Sequence, residues 1–256
     1  MNTIKLNSVA PENVYLQTLL GLKVDGVFGS GTEKAVKEFQ KSVGLKDDGI
    51  VGAGTWEKLL EKYPQRKIEE KDYEEAAKAV GCDVAAVKAI KEVESGKSAF
   101  LESGFPSLLF EAHIFYKYLG ASKAEKLKAS HPGIISKSWD RKLYKGGEKE
   151  VDRLREAWTI SPSAASMSAS FGAFQICGFN YKACGYNSPL EYFGGEWKNE
   201  AEQLKTFISF IKSSGIAPYL KQHNWAEVAR RYNGAGYKAN NYDTKLATAY
   251  KKWSSK

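Results

Sequence analysis

Hydrophobic positions recur along this chain with helical spacing over most of its length. Near the N-terminus, apolar residues lie three and four positions apart in two stripes, Ala35, Val36 and Phe39, and Trp56, Leu59 and Leu60. From Tyr73 onward the same spacing continues in stripes at 73–80, 84–90, 108–119 and 204–211. Because a period of 3.6 residues places such positions on one helix face, the pattern predicts a mainly α protein. Two polar stretches, 133–147 and 161–170, are expected to be loops.

The first segment contains an internal repeat in which residues 16–32 correspond to residues 39–55. Nine of the seventeen positions are identical, too many for chance, and four of these pairs are Gln17/Gln40, Asp25/Asp48, Gly26/Gly49 and Thr32/Thr55. Each copy predicts the end of a helix, a glycine-rich turn and the start of the next helix. The two threonines are placed to N-cap the helices that follow. The repeat therefore predicts a small three-helix domain.

A charged segment without apolar periodicity follows this domain. It reads PQRKIEEKD from Pro64 and predicts a linker at 65–71 between a domain at 1–64 and a larger one at 72–256. The first 65 residues are electrically neutral, so the whole net charge of +8 lies in residues 66–256. This asymmetry suits an anionic polymer such as bacterial cell wall. Nucleic acid is not expected as a partner, because no zinc finger, helix-turn-helix or basic-aromatic motif accompanies the charge.

Composition excludes several other classes of protein. No run of about 18 apolar residues occurs, so stable membrane insertion is not expected. The N-terminus lacks the apolar core and cleavage site of a signal peptide, which predicts synthesis in the cytoplasm without one. Neither a disulfide framework nor a metal site or other cofactor is expected, because no zinc-ligand spacing occurs among the few candidates, Cys82, Cys177, Cys184, His113, His131 and His223.

Glu94, at the end of an apolar helix and followed by Ser-Gly, is the candidate general acid. At about 100° per residue it lies on the face of Val87 and Ile90, whereas Glu92 points toward solvent. Apolar walls raise the pKa of a carboxyl group, and a change from about 4.3 to between 6 and 7 corresponds to roughly 2–4 kcal/mol. Such a group protonates a leaving oxygen at neutral pH. An ion pair with a lysine on a neighbouring turn is the alternative.

Two later stretches carry polar groups that suit a sugar ligand. In ASFGAFQI (169–176), Ser170-x-Gly172 lets backbone come close to a ligand and Gln175 offers an amide. In RYNGAGY (231–237), Tyr232 and Asn233 place a ring and an amide before a glycine pair. An acetamido sugar needs such hydrogen bonds and such a stacking surface. Each stretch alone is also compatible with ordinary turn chemistry.

These motifs resemble two known families. Residues 12–62, with the run VDGVFGSGTEKAVKEFQKSVGLKDDGIVGAGTW, resemble the peptidoglycan-binding domain of cell-wall hydrolases. Residues 73–252 resemble the N-acetylmuramidase domain of modular phage endolysins, in the superfamily of goose-type lysozymes and lytic transglycosylases. The matching segments are VESGKSAF, LLFEAHIF, YKGGEKEVDRL, SASFGAFQICGFNYKACGY and YNGAGYKANNYDTKLATAY. The resemblance implies an α-helical lysozyme-like fold with Glu94 as catalytic acid. It also implies a glycan cleft lined by Ser170, Gln175, Tyr232 and Asn233.

Two positions depart from the family pattern. Phe171 stands where tryptophan is expected, and Lys97-Ser98 stands where glycine is frequent. Both departures concern the shape of the cleft. The motifs also contain no obvious second carboxylate, and Glu111 in Leu-Phe-Glu-Ala-His is the nearest candidate for the cleft, with helix capping or ion pairing as the alternative.

The resemblance implies a monomeric endolysin that lyses the host cell by cleaving the β-1,4 bond between N-acetylmuramic acid and N-acetylglucosamine in peptidoglycan. Its domain order fits the periplasm of a Gram-negative host. Contacts with the wall are expected at the turns Asp25–Gly31 and Asp48–Gly54. If no base is present, attack by the muramic acid C6 hydroxyl would give a 1,6-anhydro product, as in lytic transglycosylases. A non-catalytic wall-binding or virion protein is the other alternative.

Overall fold

A computed structural model describes residues 1–96 and 98–255 of the chain, and the mainly α prediction is confirmed. The N-terminal domain contains α1 (Glu12–Leu19), α2 (Ser30–Ser42) and α3 (Ala53–Lys62). The larger domain contains α4 (Glu70–Val80), α5 (Val84–Ser95), α6 (Ala112–Leu119), α7 (Ala121–Leu127), α8 (Glu148–Ile160), α9 (Pro162–Met167), α10 (Pro189–Lys198), α11 (Glu200–Ser213), α12 (Ala217–Lys221), α13 (Trp225–Asn233) and α14 (Tyr242–Ser254). None of the helices in these described ranges has the length and apolar character needed to cross a membrane.

The repeated residues of the N-terminal domain form the same hydrogen-bond network twice. In the first copy, Gln17 Nε2 donates to Asp25 Oδ1 at 2.8 Å, and the Gly26 amide donates to Gln17 Oε1 at 2.8 Å. The second copy repeats both bonds with Gln40, Asp48 and Gly49. Both glycines have positive φ, +72° and +76°, which a residue with a side chain rarely adopts. The sequence identities therefore maintain the turns.

The predicted N-capping role of Thr32 and Thr55 is wrong. The N-cap residues are Gly29 and Gly52, and both threonines are buried in the first turn of their helices. Each threonine hydroxyl instead accepts a hydrogen bond from the glutamine amide of its own copy, at 3.3 and 3.1 Å. The hydroxyl faces inward because the glutamine of the preceding helix occupies the interior of the turn. The threonines thus join consecutive helices.

The two domains share one hydrophobic core. Tyr15 of α1 is fully buried and stacks on Trp197 of α10, with ring centroids 4.7 Å apart and planes at 3°. Beside this stack, Arg155 Nη2 lies 2.6 Å from Oε1 of the fully buried Glu12. Trp158 and Trp197 are both fully buried, so both rings serve packing of this core. The N-terminal domain is thus packed onto the larger domain and is more than a tethered appendage.

The segment between the domains is fixed to the larger one. The Arg66 carbonyl accepts a hydrogen bond from the Glu200 amide at 3.1 Å. The Nη2 atom of the same arginine lies 2.8 Å from both carboxylate oxygens of Asp72. Helix α4 begins at Glu70, so the last two residues of the predicted 65–71 linker are helical. The predicted boundary therefore falls within an ordered connection.

A three-stranded antiparallel sheet lies among the helices of the larger domain, in the order β1 (Leu108–Phe110), β2 (Ala169–Phe171) and β3 (Ile176–Cys177). The helical pattern predicted over 108–119 is therefore wrong for its first three residues. A short apolar run fits a helix or a strand equally well, and pairing with the distant strand β2 decides between them.

The loop predicted at 161–170 is also wrong. Ser161 N-caps α9, its hydroxyl accepting from the Ala164 amide at 3.4 Å, and Pro162 occupies the first helical position. This arrangement favours a helix start, and strand β2 follows α9 directly. The stretch 133–147 is largely irregular, as predicted, with one short 3₁₀ turn at Arg141–Leu143.

Candidate functional site

Helix α5 carries the proposed acid. It begins after Asp83, whose side chain accepts a hydrogen bond from the Ala86 amide at 2.8 Å. It ends at Ser95, and Gly96, with a φ of +64°, is its C-cap. Val87 and Ile90 are buried and Glu94 is half-buried, so the predicted face is confirmed. Burial raises the pKa of Glu94 from its ordinary value of 4.5 to about 7. The carboxyl group is therefore partly protonated at neutral pH.

Glu92 does not point freely to solvent, and that prediction is wrong. Its carboxylate accepts from Lys252 Nζ and Trp253 Nε1, both at 2.8 Å, on the C-terminal helix α14. Helix α14 covers this side of α5, which the helical period of α5 alone does not reveal. The two glutamates of α5 thus have different hydrogen-bond partners.

Asn233 at the end of α13 is the hydrogen-bond partner of the acid. Its Nδ2 donates to Glu94 Oε1 at 2.9 Å, and this bond and the positive charge of Lys245 both lower the pKa that burial has raised. No salt bridge to Glu94 occurs in the described part of the chain, so the alternative of a lysine ion pair is not observed. The structure thus places Asn233, which was predicted to line the glycan cleft, directly against Glu94.

Tyr232 precedes Asn233 and fixes the end of its helix. The half-buried Tyr232 donates from its hydroxyl to the Phe174 carbonyl at 2.6 Å, and its ring packs edge-on against Phe210. Burial, with the nearby Glu94 charge, raises the pKa of Tyr232 well above its ordinary value. Its hydroxyl thus connects α13 to the turn that follows β2, and this positions Asn233 against Glu94.

Ser170 and Gln175 bind each other. Ser170 Oγ donates to Gln175 Oε1 at 2.8 Å, and Gln175 Nε2 donates to the carbonyls of Ser107 and Gly172 at 3.0 and 2.9 Å. Both hydrogens of the Gln175 amide are therefore occupied within the protein. The close approach predicted at Gly172 is made by the Gln203 side chain, which a Cβ atom at Gly172 would strike. The motif thus shapes the floor of the site more than it offers free amide hydrogens.

The two departures from the family pattern have different positions. Phe171 is fully buried, with its ring centroid 4.8 Å from that of Phe193, so its replacement of tryptophan affects the core and the expected effect on the cleft is wrong. Lys97 of the second departure lies outside the described residues. Its neighbour Ser98 donates from its hydroxyl to the Phe100 carbonyl at 2.6 Å.

Glu111 lies at the end of β1 and belongs to a polar chain that sequence reasoning missed. It occupies the N-cap position of α6, but its side chain forms no cap. Instead Tyr144 donates from its hydroxyl to Glu111 Oε2 at 2.7 Å, and Trp139 Nε1 donates to the same Tyr144 hydroxyl at 2.7 Å. His113 Nδ1 lies 3.3 Å from Glu111 Oε2. Tyr144 opens the YKGGEKEVDRL motif, and this was the signal in the sequence.

The charges of Glu111 and of the proposed acid, Glu94, both act on Tyr242. Burial raises the pKa of Tyr242, and the charges of both Glu94 and Glu111 raise it further. The two carboxyl groups are therefore both within electrostatic reach of this ring. The region combines a carboxyl group that can donate a proton, a second carboxylate and several aromatic rings. This combination suits cleavage of a glycosidic bond.

Comparison with known proteins agrees with this chemistry. Residues 83–254 match the family model described as N-acetylmuramidase, and residues 13–59 match a putative peptidoglycan binding domain. The chain belongs to the N-acetylmuramidase family. A similar solved structure is the crystal structure of Burkholderia AP3 phage endolysin, with 36% sequence identity, a TM-score of 0.66 and coverage of 100% of both chains. No curated protein matches the chain.

These matches define the class of the protein. The chain is a peptidoglycan hydrolase in which a glycosidase domain is joined to a peptidoglycan-binding domain. Peptidoglycan is its substrate.

Proposed function

We propose that this chain is an endolysin that hydrolyses the β-1,4 bond between N-acetylmuramic acid and N-acetylglucosamine, with Glu94 as the general acid. The observation that carries this proposal is the half-buried Glu94, whose pKa of about 7 leaves it partly protonated at neutral pH. A general acid is most effective when its pKa lies near the working pH. Proton donation to the glycosidic oxygen would leave the Glu94 carboxylate, and Asn233 Nδ2 is in place to stabilise that charge.

The remaining site residues position the acid and shape the cleft. Tyr232 holds the end of α13, and Ser170 with Gln175 holds the turn between β2 and β3. Glu111 is the proposed second carboxylate of the cleft, in reach of the same ring of Tyr242 as Glu94. Glu111 would orient the attacking water or stabilise the positive charge that develops on the sugar.

Loss of the Glu94 carboxyl is the direct test. In a turbidity assay on cells with a permeabilised outer membrane, Glu94→Gln is expected to clear the suspension about 10²–10⁴-fold more slowly than wild type. Glu92→Gln is the matched control, because it removes the same charge two residues away on the same helix and should retain activity. Equal clearing by wild type and Glu94→Gln, or none by either, would exclude the assignment.

The type of cleavage is tested separately. Hydrolysis leaves a reducing sugar, whereas attack by the muramic acid C6 hydroxyl leaves a 1,6-anhydro end. Mass spectrometry of the released muropeptides is expected to show reducing ends that terminate in N-acetylmuramic acid. Release of 1,6-anhydro ends would show lytic transglycosylation instead.

The N-terminal domain is proposed to hold the enzyme on the wall, with the turns Asp25–Gly31 and Asp48–Gly54 as the contact surface. Val27 and Ile50, at equivalent positions of the two turns, are exposed and available for contact. Binding by this domain raises the concentration of substrate at the cleft. The proposed place of action is the wall in the periplasm of a Gram-negative host, and the proposed active form is a monomer. Co-sedimentation of Glu94→Gln with purified sacculi, with and without Val27→Asp, tests the contact surface.

A further inference from the structure

The loop at 133–146 is fastened at both ends by one buried ion pair. Glu150 and Arg153 of α8 are 0% and 6% exposed, and Arg153 Nη1 lies 2.7 Å from Glu150 Oε2. At the start of the loop, Arg153 Nε donates to the Gly133 carbonyl at 3.0 Å. At its end, the amides of Lys145 and Gly146 donate to Glu150 Oε1 at 2.6 and 3.1 Å. The loop is thus closed at its base by side chains of a helix.

The same ion pair also holds strand β1. The Phe110 amide donates to Glu150 Oε2 at 3.0 Å, and Arg153 Nη1 donates to the Phe110 carbonyl at 2.8 Å. Phe110 immediately precedes Glu111, so the loop and the carboxylate of the site are attached to a common anchor. Burial of an ion pair carries a desolvation cost, which hydrogen bonds to other groups must offset. Here those bonds fix the position of the loop relative to the strand.

The loop presents an indole ring at the surface. Trp139 is 59% exposed, although most tryptophan side chains in folded proteins are largely covered. Its Nε1 is held by the Tyr144 hydroxyl, and the two rings lie edge to face with centroids 6.3 Å apart. The Tyr144 hydroxyl donates in turn to Glu111. The indole is therefore oriented by its edge while much of its surface remains free.

Hydrogen bonds and strand pairing connect this ring to the residues around the proposed acid. Glu111 follows strand β1, in which Leu109 pairs with Ser170 of β2. The turn that follows β2 accepts the Tyr232 hydroxyl at the Phe174 carbonyl, at 2.6 Å. Tyr232 precedes Asn233, whose Nδ2 donates to Glu94 Oε1 at 2.9 Å. A polymer that passes Glu94 and continues toward Glu111 would reach the indole.

We propose that Trp139 is a stacking platform for a pyranose ring of the glycan strand, at a position beyond the bond that is cleaved. The inference rests on the proposed function, in that the ligand is the glycan. The apolar face of a pyranose packs against an indole ring, whose large flat surface gives contact area at little cost in conformational entropy. The Glu150 and Arg153 pair and the Tyr144 hydroxyl hold the platform before the ligand arrives, which lowers the cost of binding.

Binding of glycan strands freed of their stem peptides tests this platform. In the Glu94→Gln background, which binds without cleaving, the affinities of Trp139→Phe, Trp139→Leu and Trp139→Ala are compared with that of Trp139. Phe retains a flat aromatic face and should bind within a few-fold of Trp139. Leu and Ala should bind about tenfold more weakly or worse, as for truncation of an aromatic at the centre of an interface. Tyr144→Phe keeps its ring but releases the indole, so an intermediate loss is expected.

Several results would overturn the inference. Equal affinity of all four proteins would show that the indole does not contact the glycan, and equal affinity of the Phe and Leu variants would show that no stacking occurs. A loss seen only with strands that still carry stem peptides would assign the indole to the peptide. If the wild-type chain releases no saccharide from sacculi, the proposed function fails, whereas this binding series still decides the role of Trp139. Melting temperatures of the variants, expected to match because the ring is exposed, exclude misfolding as the cause.

Discussion

Replacement of Glu94 by glutamine is expected to stabilise the folded protein at neutral and alkaline pH while it removes activity. Folding raises the pKa of Glu94 from 4.5 to about 7 because it buries the carboxyl group. Between these pH values the folded carboxyl holds a proton that the unfolded chain has lost. The free energy of unfolding therefore falls as the pH rises through this window and is level above it.

The size of this loss follows from the two pKa values. At about 1.4 kcal/mol per pH unit, the difference corresponds to roughly 3 kcal/mol. Glu94 is partly exposed, so solvent screens part of this energy and we expect about 2 kcal/mol. Glutamine carries no charge at any pH, and its carbonyl oxygen still accepts the hydrogen bond from Asn233. The variant therefore avoids the desolvation cost and keeps the contact.

Denaturant unfolding of wild type and Glu94→Gln at several pH values measures the difference. We expect nearly equal stability at about pH 4 and a gain for the variant of about 2 kcal/mol at about pH 8. In a chain of this size that gain corresponds to a rise in Tm of roughly 4–8 °C. Glu92→Gln should show no such gain, because Glu92 is paired with Lys252 at the surface.

A gain that is the same at every pH would refute the reasoning, because only titration of a desolvated carboxyl gives the pH window. Glu196→Gln is a second control. Glu196 is 2% exposed and burial raises its pKa to about 8, so its variant should also gain stability, over a window that ends about one pH unit higher. Within the described residues Glu196 forms no hydrogen bond with Glu94 or Asn233, so that variant should keep its activity.

The remaining predictions concern the proton, the hydrogen bond and the domain interface. Cleavage should decline as the pH rises above about 7, since Glu94 must be protonated to act as an acid, and the pH profile of kcat measures this. Asn233→Ala removes a bond that stabilises the carboxylate, so the declining limb should move to higher pH; an unchanged limb would exclude that role. Tyr15→Ala should cost roughly 3–5 kcal/mol, measured by denaturant unfolding, because it opens a cavity against Trp197. Deletion of residues 1–64 should lower the Tm and expose dye-binding apolar surface; an unchanged Tm would show that the domains are independent.

Features that repeat along the chain or depend on near neighbours were predictable from the sequence. The helices follow from the apolar period, and the three-helix domain follows from the repeat. The face of α5 that carries Glu94 follows from Val87 and Ile90, which are seven and four residues before it. These predictions succeed because a helix places residues three or four apart side by side whatever the rest of the fold does.

Contacts between distant residues were decided by the tertiary structure alone. Glu94 is hydrogen-bonded to Asn233, Glu92 is covered by α14, and strand β1 forms only because β2 lies beside it. The Gln175 amide, expected to face a ligand, is used by backbone carbonyls of the protein.

The contacts around Glu111 were also decided by the tertiary structure. The YKGGEKEVDRL motif carried part of the family resemblance, but the sequence did not show which contacts its residues make. In the structure the Tyr144 hydroxyl donates to Glu111, and the buried pair of Glu150 and Arg153 lies at the base of the loop. The sequence by itself determined most of the helices, the family pattern and the candidate acid. The fold decided the partners of each polar group, because those partners come from segments whose distance apart depends on the packing of the whole core.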